Sequence, residues 1–155
     1  MTITIPPAPI LVHATAIAIE GCAVLLRGPS GAGKSDLALR LIDRGARLVA
    51  DDQVELRRAG ERVLVTAPAA IAGLIEVRGV GILRVEAVAE AMLAMLVDLV
   101  PSAEVDRFPE THYEDVLGLV VPSIALSPFE ASAAAKLRFA LRAFPANRVP
   151  AIIRR

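Results

Sequence analysis

Residues 28–35 read Gly28-Pro29-Ser30-Gly31-Ala32-Gly33-Lys34-Ser35 and fit the spacing G-x-x-x-x-G-K-[ST] of a phosphate-binding loop. The chemistry follows from the residue types. Glycines at 28, 31 and 33 let the backbone curl until successive N–H groups point at one anion. A helix starting at Lys34-Ser35 adds the positive end of its dipole. Lys34 has the reach for β- and γ-phosphates, and the Ser35 hydroxyl is an oxygen ligand for Mg²⁺. A nucleotide is the expected ligand. The loop alone does not say what it is used for.

Phosphoryl transfer to a hydroxyl needs a base, and the metal needs acids. Asp51 and Asp52 stand together at the end of the apolar run Arg47-Leu48-Val49-Ala50. Neighbouring side chains on an extended segment point opposite ways. One acid can face the γ-phosphate and the other a metal shell or a structural partner; which does which stays open. A second group is Glu76-Val77-Arg78-Gly79-Val80-Gly81. Alternation puts Glu76 and Arg78 on one face, Glu76 to complete a Mg²⁺ site and Arg78 to grip phosphate oxygens. His13 and Arg107 carry no local signal of their own.

The elements that must position these groups are legible in outline. Residues 1–9 read as an extended lead-in, and 10–19 as one strand or two short ones. Cys22–Arg27 reads as a buried strand, and 34–44 as a helix with Leu37, Ala38, Leu41 and Ile42 on one face and Gly45 closing it. Arg47–Ala50 is a short strand, and 53–66 a hairpin turning at Ala59-Gly60. Residues 87–92 are expected as a short helix, 93–100 as a strand, and 101–115 as irregular chain. Further strand is expected at 117–126. A C-terminal helix over 129–144 would start near Ser127 or Pro128 and stop at Pro145. The predicted class is α/β, a partly parallel sheet around the phosphate loop with a hairpin-rich β portion.

One hundred and fifty-five residues, 55% hydrophobic, suffice for one domain with one core. Lys plus Arg and Asp plus Glu both number 17. That balance argues against bulk attraction to nucleic acid or an anionic membrane. The single cysteine, Cys22, excludes a disulfide framework, and a cytoplasmic setting is the natural expectation. The most apolar stretch, 85–100, carries Glu86, Glu90 and Asp98 and is short for a bilayer.

The order of these pieces resembles the catalytic domain of HPr kinase/phosphorylase. His13 matches the His that the family carries before its first core strand. Gly28–Ser35 matches its loop, and Ala50-Asp51-Asp52-Gln53-Val54 its Asp-Asp strand end. Glu76-Val77-Arg78-Gly79-Val80-Gly81-Ile82 matches its Glu-Ile-Arg-Gly-x-Gly-Ile signature, and Asp106-Arg107 a later Asp-Arg pair. The resemblance covers about residues 10–126 and implies a P-loop fold of the HPr kinase type, related to phosphoenolpyruvate carboxykinase-like folds. It implies an ATP- and Mg²⁺-dependent kinase that phosphorylates a serine of an HPr-type phosphocarrier and, in many members, removes it by phosphorolysis. By position, Lys34 would hold the phosphates and Ser35 and Glu76 the Mg²⁺. The Asp51-Asp52 pair would supply the base. His13, Arg78 and Arg107 would support catalysis, Arg107 mainly in phosphorolysis.

The departures shape the expectation. Typical members are about twice as long, with an N-terminal regulatory domain that 1–155, read as one catalytic domain, lacks. Their Gly-Arg-bearing loop is replaced by Leu126-Ser127-Pro128-Phe129-Glu130-Ala131-Ser132. Kinase activity with weak or lost phosphorolysis is expected, in a short form tied to the nitrogen-related phosphotransferase system. The family also implies a homo-oligomer, a hexamer. An ATP-binding sensor that transfers no phosphate competes with this reading, as does a small-molecule kinase or nucleoside-triphosphatase. Both leave the acids or the compact length less well explained.

Overall fold

The computed structural model describes residues 8–144. Residues 1–7 of the lead-in expected over 1–9, and the helix stop at Pro145, lie outside them. The strands, in chain order, are β1 Ile10–His13, β2 Thr15–Ile19, β3 Cys22–Arg27, β4 Arg47–Ala50, β5 Gln53–Ala59, β6 Arg62–Thr66, β7 Leu74–Val77, β8 Gly81–Arg84, β9 Glu90–Leu99, β10 His112–Val116 and β11 Leu119–Leu126. Two α-helices accompany them, α1 Lys34–Asp43 and α2 Ala133–Ala143.

The main sheet runs β1-β5-β6-β9-β3-β2-β4, and β7 and β8 form a separate hairpin. Strand β9 is its axis. One edge pairs in parallel with β3 along most of its length. The other edge pairs first with β6 and then with β11, parallel to β9 over Ser123–Leu126. The expectation of a partly parallel sheet with hairpins holds.

Side-chain alternation sorts the core onto two faces of the sheet. Ile17, Ile19, Val24 and Leu26 pack under α1 and α2 with Leu37, Leu41 and Leu137. Ala14, Ala16, Ala18 and Ala23 line the opposite face with Val49, Val54, Leu56 and Val65. Small side chains there let the sheet curl until β2 touches β5 and β4 touches β6. In β9, Ala91 and Leu93 face the alanine-rich side, whereas Met95, Val97 and Leu99 face the helices. The register shift between Ala23 and Val24 on β3 accompanies this change of parity.

Three expectations are corrected. Residues 87–92 are not a helix: Ala87 bridges Leu48, and β9 starts at Glu90. Ala, Glu and Met are good helix formers, but Glu90–Met92 all pair with β6 and Met92 also with β3, and a segment held in a ladder follows its neighbours. Residues 112–115, expected as irregular, form most of β10, which pairs with β11 through a turn with positive φ at Leu117 and Gly118. Helix α2 starts at Ala133 rather than near 129. The carbonyls of Pro128 and Glu130 accept from Arg40 on α1, so this stretch is a strap along α1.

Candidate active site

Strand β3 leads directly into the loop Gly28–Gly33 and then α1. Gly31 and Gly33 have φ of 85° and 100°, left-handed values that ordinary side chains resist. Gly33 is also close-packed: an added Cβ would come within 3.0 Å of Pro128 and Phe129. Lys34 is buried, and its Nζ donates to the carbonyls of Gly28 at 2.6 Å and Pro29 at 3.0 Å. Two of the three ammonium protons thus tie the loop to its own start, and one stays available to an anion.

Beside the loop, two bends of the chain cross. The chain turns at Ala14 between β1 and β2, and at Asp51-Asp52 between β4 and β5; the Ala14 N–H donates to the Asp52 carbonyl. Because β2 pairs antiparallel with β4 through Ala16 and Ala50, the next residues outward, Thr15 and Asp51, face each other. The Thr15 hydroxyl donates to Asp51 Oδ1 at 3.0 Å. Ser35 Oγ donates to the same oxygen at 3.0 Å, and the Glu76 N–H donates to Oδ2 at 3.1 Å. Asp51 is buried, and these three donors offset its loss of water.

Asp52 faces the other way. It is exposed, at φ 69°, a left-handed conformation that Asp tolerates better than most residues. His13 Nε2 donates to its Oδ1 at 2.6 Å. The pair left undivided by sequence is thereby divided by geometry: Asp51 is locked against Ser35, and Asp52 opens to solvent beside a histidine.

Both acids, His13, Lys34, Ser35, Glu76 and Arg78 line one cleft of about 450 Å³ with Ser30, Gly31 and Gly33 of the loop. Glu76 lies on β7, whereas Arg78 lies in the turn that joins β7 to β8 rather than farther along one extended face. Arg107 is not among the residues of this cleft. It sits in the exposed loop before β10, its guanidinium 5.4 Å from the Phe108 ring centre. Four cleft or supporting residues escaped the sequence reading: Thr15, Asp36, Leu39 and Phe129. A lone hydroxyl in the otherwise apolar run Ala14–Ile19 was the available signal for Thr15.

A second polar cluster braces the start of the loop. Arg27, immediately before Gly28, donates to both oxygens of Asp98 on β9 and both oxygens of Glu114 on β10, at 2.6–3.0 Å. The Glu114 hydrogen bonds, with those of Asp98 adding to them, hold the guanidinium pKa above its ordinary value. Reciprocally, the Arg27 hydrogen bond holds the Glu114 carboxyl below its usual range.

The donor set tests well against Mg²⁺. Among the described residues no cluster of three or more His, Cys, Asp or Glu side chains forms a metal cage. Mg²⁺ does not need one where one or two carboxylates, a hydroxyl, water and phosphate oxygens share it. Ser35, Asp51 and Glu76 fit that pattern.

A strand, a glycine-rich loop and a helix start, with divided acids alongside, define a mixed α/β protein equipped to hold a phosphorylated ligand. The chain belongs to the HPr serine kinase C-terminal domain family, which matches residues 8–133. The HPr kinase/phosphorylase of Caldanaerobacter subterraneus subsp. tengcongensis is 45% identical over 114 residues, 71% of this chain and 37% of its own length. That of Listeria monocytogenes is 49% identical over 80 residues, 50% of this chain and 26% of its own length. The solved structure of the Hpr(Ser) kinase/phosphatase from Coxiella burnetii has a TM-score of 0.77 at 27% identity, covering 86% of this chain and 95% of that one. The chain thus spans well under half the length of these curated relatives.

Proposed function

We propose that this chain is an ATP- and Mg²⁺-dependent protein-serine kinase acting on an HPr-type phosphocarrier, working as one P-loop catalytic domain. The observation that carries the reading is the division of Asp51 from Asp52 beside the loop. A buried acid bonded to the Ser35 hydroxyl suits the metal side. An exposed acid bonded to an imidazole suits a base. A protein that only sensed nucleotide would have no use for the second.

In this mechanism the loop N–H groups and Lys34 hold the β- and γ-phosphates. Ser35, Glu76 and Asp51 would hold Mg²⁺, which would supply positive charge against the charge developing on the phosphate oxygens. The carrier serine hydroxyl reaches the cleft beside Asp52. Asp52 takes the hydroxyl proton as the serine oxygen bonds to the γ-phosphorus, the bond to the bridging oxygen breaks, and ADP leaves. His13 orients Asp52, and Arg78 meets phosphate oxygens from the hairpin turn.

Phosphorolysis is proposed to be weak or lost. Arg107 stands outside the cleft, and the strap Ser127–Ser132 carries no Gly-Arg pair. Both support that reading. The nitrogen-related phosphotransferase system as source of the carrier, a homo-oligomer and a cytoplasmic setting belong to the same proposal. Among the described residues no helix is long and apolar enough to cross a membrane.

The test is transfer of labelled γ-phosphate from ATP to a purified HPr-type carrier, with a twin reaction holding phosphorylated carrier and inorganic phosphate. Label on a serine with a silent twin is expected. Bound nucleotide without transfer to the carrier would overturn the kinase reading in favour of the sensor.

A further inference from the structure

Three phenylalanines are more than two-thirds exposed: Phe108, Phe129 and Phe139. Arginines shield two of them, Arg107 over Phe108 and Arg142 over Phe139. Among the described residues Phe129 has no such cation, and it is the one that lines the cleft. It stays 70% exposed although its flanks are held firmly. Arg40 takes the carbonyls of Pro128 and Glu130 and is itself braced by Asp36. The Glu130 carboxylate accepts from Lys136 at 2.7 Å and Ser102 at 3.2 Å. The ring edge rests against Gly33, the last residue of the loop.

Helix α1 lines the same cleft. Leu39 and Arg40 follow Asp36 by three and four residues, so they flank it on the same helical face. Leu39 stays half-buried in the cleft while Leu37, Ala38 and Leu41 take the core face. The first turn of α1 therefore carries an apolar side chain on one flank of Asp36. On the other flank a rigidly mounted aromatic ring is joined through Arg40.

We propose that Phe129 is the stacking platform for the nucleoside of the bound nucleotide, with Leu39 lining the same cleft. This rests on the nucleotide reading above and adds a nucleoside-binding residue to it. A ligand whose phosphates fill the loop leads its ribose and base away over the helix start, where an uncovered ring would otherwise meet only water. Stacking reads the π-face that all bases share, so the platform serves adenine and guanine alike.

Calorimetry with Mg²⁺ and three probes, ADP, GDP and pyrophosphate, separates the possibilities. F129A is expected to weaken ADP and GDP together by about 5- to 100-fold and to leave pyrophosphate unchanged. F129Y should restore both nucleotides. Because the chain has no tryptophan, F129W supplies a second readout, fluorescence quenched by ADP but not by pyrophosphate. Equal loss of pyrophosphate in F129A would mean that the ring only shapes the loop, and would overturn the proposal. So would unchanged ADP binding. Wild-type protein that binds pyrophosphate as tightly as ADP would overturn the platform yet leave the phosphate loop standing. Wild-type protein that binds neither would sink the nucleotide reading itself.

Discussion

At the scale of single residues, the two adjacent aspartates have unlike surroundings and should fail differently. Asp52→Asn keeps the left-handed backbone, which Asn accepts, and removes the proposed base. Transfer to the carrier is expected to fall by about 10² or more, with nucleotide affinity little changed; full turnover in this variant would refute the assignment. Asp51→Asn leaves Thr15, Ser35 and the Glu76 N–H facing an amide. The expected result is a raised Mg²⁺ requirement together with lost stability. Thr15→Val isolates the support from the chemistry: it removes one donor to Asp51 and should cost about 1 kcal/mol, measured by urea unfolding. Lys34→Ala should instead impair nucleotide use altogether, because it removes both the loop's own tie and the proposed phosphate contact.

At the scale of elements, the loop depends on what holds its two ends. Its far end is Gly33, where α1 begins against the strap. Gly33→Ala meets both a left-handed φ and atoms of Pro128 and Phe129 at 3.0 Å. A loss of about 1–3 kcal/mol and weakened nucleotide binding are expected from thermal shift with and without ADP. The near end is Arg27, clamped across β3, β9 and β10. The folded Glu114 carboxyl lies below its ordinary value of 4.5, so the clamp contributes stability that is present above that range. It is lost as pH falls through the folded value. Glu114→Gln should therefore flatten the acid side of the stability–pH profile. Since Glu114 is partly exposed, the loss at neutral pH should stay near 1 kcal/mol. An unaltered acid limb in this variant would show that the clamp contributes nothing in solution.

At the scale of the whole molecule, β9 joins everything the site needs. It shares edges with β3, β6 and β11 and packs side chains into both cores. Leu96 is fully buried on the alanine-rich face, the one without a helix to relax into the space. Leu96→Ala is expected to cost about 2–5 kcal/mol, a fall of roughly 5–20 °C in melting temperature by calorimetry. A loss below 1 kcal/mol would mean that the sheet is far more plastic than its packing implies.

Much of this was legible in the residues. The loop motif, its strand and helix, the hairpin at 53–66 and the acids at 51 and 52 are local patterns. They depend on backbone freedom, hydrophobic period and neighbouring residue types, all of which lie within a few positions of each other. The elements misjudged are those whose local preference was overruled from afar. Residues 90–92 are helix formers that became strand because β6 pairs with all three and β3 takes up Met92 on the other side. Residues 128–132 looked like a helix start, yet Arg40, almost ninety positions earlier, holds two of their carbonyls. Sequence alone determined that this chain carries a phosphate-type loop with acids at a neighbouring strand end. Only the tertiary structure decided which acid is buried against Ser35 and which is exposed and bonded to His13. It likewise left Arg107 outside the cleft and set Phe129 within it. These outcomes depend on which distant backbones cross and pair, and no local pattern encodes that.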